Sequence, residues 1–266
     1  LGVFQAILLG LLQGATEFLP VSSSGHLVLA ERLLNVRTDD IVFDVFVHFG
    51  TFVAVVVYFR REIRDIILGL WRWIRRMENP NREEASLAGY IAIGTIPAVV
   101  IGLGFKGYIE SAFKSPIFAS GMLVCTGLIL LSTRFAVTHN KSVRGRSSFV
   151  IGCAQALAML PGISRSGSTI SAALFLGVAK EKAATFSFLL ALPAIFGATL
   201  LELKEVLDTG VGAFTLFTYL LGTVAAALFG YLCIGLLLGI IRKGKFDYFG
   251  YYCLAVGIFG LIYFHV

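Results

Sequence analysis

Two short polar segments interrupt a largely apolar chain and hold the residues able to do chemistry: Glu17-Phe-Leu-Pro-Val-Ser-Ser-Ser-Gly-His26 and Leu160-Pro-Gly-Ile-Ser-Arg-Ser-Gly-Ser-Thr169. In the first, Pro20 stops one helix, and Ser22, Ser23, Ser24 and Gly25 supply hydroxyls and backbone amides at the start of the next. A helix N-terminus offers unpaired N–H groups and the positive end of a dipole, which makes it an anion site. A single serine there reads as a helix cap. Three in a row, followed by Gly25 and His26 and matched by a second such turn, favour phosphate. The second turn brings Ser164, Arg165, Ser166 and Thr169, and a guanidinium presents a rigid fork of donors that matches a phosphate bidentately.

Gln13 and Glu17 are four residues apart, so they share one helix face. A carboxylate aimed at a phosphate pocket repels its ligand unless it holds a cation or a proton. Oxygen ligands joined by substrate phosphates are what Mg²⁺ and Ca²⁺ accept. Ligation of a divalent cation by Glu17 and Gln13 is therefore favoured over direct proton transfer. His26 stands within about one helical turn of the serines and has three open roles: nucleophile, general base for a serine, or acid on a leaving phosphate. The bland alternatives are a hydrogen-bonded structural histidine and a plain Arg165–Glu17 salt bridge; the latter is compatible with a site that is empty. His48 and His139 read as structural or solvated, and the sequence offers His265 no partner.

The elements that position these groups follow from composition. The chain has 266 residues, of which 57% are hydrophobic and 14% charged, and includes 23 Phe. Its mean hydropathy is +0.86, far above that of a soluble domain. Apolar runs at 41–59, 87–103, 116–135, 183–203, 214–241 and 248–266 are each near or above the length that spans a bilayer. The chain thus reads as an all-α polytopic membrane protein, and charged groups retained at membrane depth mark function. The net charge of +6 does not point to nucleic acid, because the basic residues sit in short loops between apolar runs. Cys125, Cys153, Cys233 and Cys253 are scattered singly without metal-ligand spacing and read as packing residues. No removable signal peptide is expected, since residues 1–12 run straight into the first polar segment.

Sixteen Lys and Arg fall in 60–84, 134–146, 180–182 and 242–245, and only five in 31–40, 104–115 and 204–213. The positive-inside rule makes the first set of loops cytoplasmic and the second external. Residues 1–36 must then enter from outside and return there, and 149–178 must do the same from the cytoplasm. Each polar segment becomes the turn of a re-entrant helix-turn-helix pair, tolerated at depth where it is buried or lines a wet cavity. The expected fold is a single integral membrane domain over 1–266: an inverted-topology repeat of halves 1–136 and 149–266, with six transmembrane helices and two re-entrant pairs meeting near the midplane. Residues 59–77 carry Ile63, Ile66, Ile67, Leu70, Trp73, Ile74 and Met77 on one face and arginines largely on the other, an interfacial amphipathic helix. The stretches 137–147 and 204–213 read as polar connectors. Glycines between Gly222 and Gly239 permit close helix packing within or between subunits, which allows a homodimer.

The segment from Gln13 to His26, the segment from Pro161 to Thr169, and Phe186-Ser-Phe-Leu-Leu-Ala-Leu-Pro193 together resemble undecaprenyl pyrophosphate phosphatases, the bacitracin-resistance family of bacterial membrane enzymes. The resemblance covers essentially the whole chain. It implies removal of the terminal phosphate from a polyprenyl pyrophosphate lipid, dependence on a divalent cation, and an active site in the inner membrane that opens to the external face. Carried over residue by residue, the acidic motif falls on Gln13 and Glu17, the serine-histidine motif on Ser22, Ser23, Ser24 and His26, and the phosphate clamp on Ser164, Arg165, Ser166 and Thr169. Many members have a second glutamate where this chain has Gln13, so Glu17 alone carries the negative charge. Ser23 activated by His26 is the leading nucleophile, with His26 itself or water as alternatives. The rival reading from another class is an inverted-repeat transporter or flippase for a phosphorylated lipid or anion, which needs anion ligands but neither nucleophile nor proton donor.

Overall fold

In the computed structural model, which describes residues 1–33, 41–76, 82–137, 139–209 and 212–265, the apolar runs fold into helices joined by short connections. In chain order these are α1 Val3–Phe18, α2 Ser23–Leu33, α3 Ile41–Tyr58, α4 Arg60–Ile74, α5 Arg82–Gly104, α6 Lys106–Phe113, α7 Pro116–Ser132, α8 Gly145–Leu157, α9 Arg165–Phe175, α10 Lys180–Thr209, α11 Ala213–Arg242 and α12 Tyr248–His265. Five of them, α5, α7, α10, α11 and α12, are long and apolar enough to cross a membrane, and the bent pair α3–α4 supplies a sixth candidate span. Only 11–44% of the residues in those five apolar windows are buried within the protein, so their remaining apolar surface faces lipid. The protein is therefore an all-α, multi-pass membrane protein.

Local sequence sets the helix ends. Ser115 caps α7 by accepting from the Phe118 amide at 3.2 Å, with Pro116 in the first turn where its missing N–H costs nothing. The chain bends by 74° between α3 and α4. Beyond that bend Ile67, Trp71, Trp73 and Ile74 are exposed, as an amphipathic helix lying along a membrane surface requires. Met77 of that face and residues 34–40 of the connector expected to be external lie outside the described residues.

Two of the expected connectors contain helix. Residues 204–213 are not simply a polar loop: α10 continues to Thr209, because Glu202-Leu-Lys-Glu-Val-Leu are mostly strong helix formers even though they are too polar to count as membrane span. Within 104–115 the chain forms the short helix α6. Hydropathy locates the span and not the helix, which explains both differences.

The helices pair in a regular way. α1 lies along α11 and α8 along α5, while α3 packs on α10 and α7 on α12. Small residues allow the closest of these approaches. A Cβ on Gly10 of α1 would collide with the Gly222 carbonyl of α11, and one on Gly152 of α8 with the Gly94 carbonyl of α5. Close backbone packing of this kind holds helices together where lipid offers no hydrophobic drive. Gly222 and Gly230 are thus used inside the chain, Gly230 against Phe18, so the close packing read from the 222–239 stretch is intramolecular there. Beneath the polar turns, Phe18, Phe59 and Phe188 meet at centroid distances of 5.8 and 5.6 Å in the largest buried cluster.

Candidate active site

Each polar turn joins two short helices and is shaped by a proline. Leu19 is held extended ahead of Pro20 and ends α1. The chain then reverses through Ser22, which is buried and has φ +68°, a conformation that costs a residue with a Cβ and persists only where its surroundings enforce it. In the second turn the corresponding reversal falls on Gly162, with φ +94°. The helix starts that follow are alike. Ser22 Oγ accepts from the Gly25 amide at 3.3 Å, and Ser164 Oγ from the Gly167 amide at 3.0 Å. Ser22 and Ser24 share a hydrogen bond at 3.3 Å, as do Ser164 and Ser166.

The two turns touch. A Cβ on Gly25 would stand 2.9 Å from Gly162 Cα, so glycine is what lets the second turn approach the first. Ser166 Oγ donates to the Leu19 carbonyl at 3.3 Å. Neighbouring helices clasp each turn from the opposite half of the chain. Thr126 of α7 donates to the Gly162 carbonyl at 2.8 Å and accepts from the Ser164 amide at 3.0 Å. On α12, Cys253 Sγ lies 3.6 Å from the Pro20 carbonyl.

Glu17 is the hub. Its Oε1 accepts from Arg165 Nη2 at 2.7 Å, and its Oε2 accepts from Ser23 Oγ at 2.6 Å and from Gln13 Nε2 at 3.1 Å. The side chains of Arg165 and Glu17 are 14% and 9% exposed, so this is a nearly buried ion pair, and removing one partner would strand the other. The sequence treated the salt bridge and the phosphate clamp as compatible, and the geometry has room for both. Arg165 Nη1 is buried without a hydrogen-bond partner, and so is Gln13 Oε1. One is a donor and the other an acceptor, and each belongs to a side chain bonded to Glu17. His48 on α3, read as structural, stands within electrostatic reach of the same carboxylate.

His26 is engaged elsewhere. Its Nδ1 lies 2.8 Å from the Ser22 carbonyl, which can only accept, so Nδ1 carries a proton. Its Nε2 is 2.8 Å from the hydroxyl of Tyr252 on α12. The expected activation of Ser23 by His26 therefore does not match the resting geometry, in which the Ser23 hydroxyl donates to Glu17. The reason is local. His26 sits one turn along α2, where its ring falls back on the Ser22 carbonyl four residues earlier, whereas Ser23 at the helix start faces the end of α1.

Thr169 is fully buried, and its hydroxyl bonds the Arg165 carbonyl at 2.8 Å and the Ser187 hydroxyl on α10. It braces the helix that carries Arg165. Ser187 explains the polar residue inside the Phe186–Pro193 segment, whose Phe186 and Phe188 belong to the core. Sequence reasoning missed Thr126, Ser187, Tyr252 and Cys253. Thr126, Tyr252 and Cys253 lie in apolar runs with no neighbouring motif, and Ser187 lies in a segment whose sequence says nothing of its partner; only the fold brings each to a turn.

Among the described residues no three His, Cys, Asp or Glu side chains stand together as a metal cage. Gln13 Oε1 and the Glu17 carboxylate are too few oxygens for a divalent cation without others from water or a ligand.

Several known proteins are similar to this chain over nearly their whole length. The undecaprenyl-diphosphatase of Halothermothrix orenii is 43% identical over 263 residues, covering 98% of this chain and 97% of that protein. That of Salinibacter ruber is 42% identical over 265 residues, covering 97% and 98%, and that of Syntrophotalea carbinolica is 44% identical over 257 residues, covering 95% of each. Residues 6–259, which include both turns and the helices that clasp them, match the family described as bacitracin resistance protein BacA, and the chain belongs to that family.

Proposed function

We propose that the protein removes the terminal phosphate of undecaprenyl pyrophosphate to give undecaprenyl phosphate, returning the lipid carrier to peptidoglycan synthesis and conferring bacitracin resistance. The observation that carries this reading is the pair of unmet polar atoms flanking Glu17. A buried donor and a buried acceptor left unpaired each cost stability, and a diphosphate with its counter-cation satisfies both. The names of the relatives point to the same substrate.

The diphosphate enters with its prenyl tail left in lipid or in a groove between helices. Arg165 Nη1, the amides at the starts of α2 and α9, and the hydroxyls of Ser22, Ser24, Ser164 and Ser166 receive the phosphate oxygens. Thr169 acts from behind by fixing Arg165. Ser23 Oγ attacks the terminal phosphorus and passes its proton to Glu17 Oε2. The bond to the bridging oxygen breaks, its electron pair leaves with the lipid monophosphate, and the phosphoryl group stays on Ser23. Water then attacks the phosphoserine as its proton passes to His26 Nε2, Ser23 recovers its own proton from Glu17 as inorganic phosphate departs, and His26 gives its proton up to solvent. Such transfer depends above all on positioning and charge neutralisation, which these residues supply. Gln13 Oε1 and Glu17 fit a divalent cation, Mg²⁺ or Ca²⁺, which when bound offsets charge on the transferring phosphate.

The halves 1–136 and 149–266 form an inverted repeat in this reading. Several features support it. α1, α2, α8 and α9 have 16, 11, 13 and 11 residues, which is roughly 24 Å at most and short of a bilayer core of about 30 Å. Exchanging α1, α2, α3, α5 and α7 with α8, α9, α10, α11 and α12 turns the α1–α11 pairing into α8–α5 and leaves α3–α10 and α7–α12 unchanged. The Gly10–Gly222 and Gly94–Gly152 contacts and the two serine caps obey the same exchange. With the basic loops inside, the first turn is entered from the external face of the bacterial inner membrane. A second copy of the chain would have Gly239 of α11 open to it.

The test is phosphate release from a long-chain polyprenyl diphosphate by the detergent-purified protein, with and without EDTA, beside Ser23→Ala and Arg165→Lys. Release that stops with EDTA and in both variants supports a metal-dependent phosphatase at this site. An intact, folded protein that releases nothing with added Mg²⁺ or Ca²⁺ returns the reading to a carrier.

A further inference from the structure

Nothing in the catalytic proposal uses Tyr252, yet it makes the only long-range contact that His26 has among the described hydrogen bonds. Its hydroxyl lies 2.8 Å from Nε2, and the two rings are parallel to within 3° at a centroid distance of 5.5 Å. Tyr252 reaches the site from α12, 226 residues away in sequence. Its ring is 46% exposed and His26 is 8% exposed, so the tyrosine stands as the outer wall of the imidazole pocket.

α12 is a rigid platform for it. A Cβ on Gly127 of α7 would come within 2.9 Å of the Gly250 carbonyl, so the two helices touch through their backbones two residues before Tyr252. The adjoining Cys253 is buried against Pro20. The tyrosine is therefore placed by packing that does not depend on His26.

The geometry points to Tyr252 as a positioning residue for the phosphatase reaction, one that orients the His26 ring and keeps Nε2 in register with the site whichever protonation state the ring holds. With Nδ1–H committed to the Ser22 carbonyl, neutral His26 presents Nε2 as an acceptor, and the Tyr252 hydroxyl donates to it. A proton from water reaches Nε2 through that hydroxyl, which covers the one lone pair of the ring nitrogen: the hydroxyl gives its own proton to Nε2 as it takes one from water, the bond reverses, and the same oxygen accepts from Nε2–H. A hydroxyl is both donor and acceptor, so the ring need not move between the two states. A carboxylate in that place could only accept, and phenylalanine could do neither.

This assignment rests on the proposed reaction for its kinetic consequence but not for its structural one, and the test separates them. Tyr252→Phe keeps the stacked ring and removes only the hydroxyl. With polyprenyl diphosphate as substrate it should lower kcat about tenfold while leaving KM within a factor of about two, the size expected for one lost hydrogen bond to a reacting group. In a His26→Asn background the same substitution should add no further loss, because residues that act as a unit are not additive. Independently of activity, ¹⁵N-histidine NMR of the full-length protein in micelles reads the ring directly, the His26 signals being those absent from His26→Asn. Tyr252→Phe should move the Nε2 resonance of His26 toward that of a free pyridine-type nitrogen while Nδ1 stays protonated. Unchanged His26 resonances, or an equal loss of kcat with and without His26, overturn the assignment. A wild-type protein that shows the Nε2 shift but releases no phosphate leaves the positioning intact and sinks the phosphatase reading instead.

Discussion

The Ser23 hydroxyl donates to Glu17 Oε2 across 2.6 Å, bridging from the first residue of α2 to the end of α1. Because the same carboxylate receives Arg165 on its other oxygen, the proposed nucleophile, base and phosphate clamp meet at one side chain. Ser23 is thus hydrogen-bonded to Glu17 and not to His26, its nearer neighbour in sequence.

Glu17→Gln tests that wiring. An amide keeps the shape and can still accept from Arg165 but cannot take a proton, so kcat should fall by about 10²–10⁴. Ser23→Ala should fall by a similar factor, and the double variant by no more than the worse single one. Phosphate release under single-turnover conditions measures all three. Full additivity would show that the two side chains do not act together.

Arg165→Lys keeps the charge and loses the fork. Lysine cannot span Glu17 and a phosphate at once, so kcat/KM should drop by about 10²–10³, as for loss of a preorganised donor at developing charge. Near-normal turnover of the lysine variant would remove Arg165 from the phosphate clamp.

Gln13 tests the proposed cation site. Gln13→Ala should weaken the apparent affinity for Mg²⁺ or Ca²⁺ about tenfold or more, and Gln13→Glu should strengthen it, since only the carbonyl oxygen of the native side chain is free. The measurement is phosphate release against cation concentration after EDTA treatment. Identical midpoints in all three proteins would place the cation elsewhere.

Gly25→Ala probes the meeting of the turns. The added Cβ stands 2.9 Å from Gly162 Cα and 3.2 Å from a Leu123 side-chain carbon, so the turns must separate. Overpacking of this kind costs about 1–3 kcal/mol. Thermal unfolding in detergent should register that loss, and activity should fall well beyond it, because the clamp and the nucleophile lie on opposite sides of the seam.

Much of this arrangement was legible in sequence because it is written in local signals. Proline, serine and glycine mark the turns, and the i, i+4 spacing of Gln13 and Glu17 puts them on one face, where they bond each other at 3.1 Å. The basic loops separate two sets of connections, and apolar length identifies the spans. What escaped was of two kinds. Polar helix such as 201–209 looks like loop to a hydropathy reading. Single supporting residues such as Thr126, Ser187 and Tyr252 carry no pattern of their own, since their partners lie 36, 18 and 226 residues away. The partner of Ser23 was misjudged because nearness along a helix was taken for nearness of side chains.

The clasping of each turn by a helix from the other half has a bearing on how the protein comes into being. Synthesis delivers the first turn 226 residues before Tyr252 of α12, so until then the serine and histidine motif exists without its far wall, and contacts across such separations form late and slowly. A nascent chain that has inserted its earlier helices should therefore lack hydrolysis until α12 packs against α7. Cleavage or fusion within α12 should therefore silence the enzyme long before it disturbs membrane insertion, which makes that helix the assembly checkpoint of the molecule.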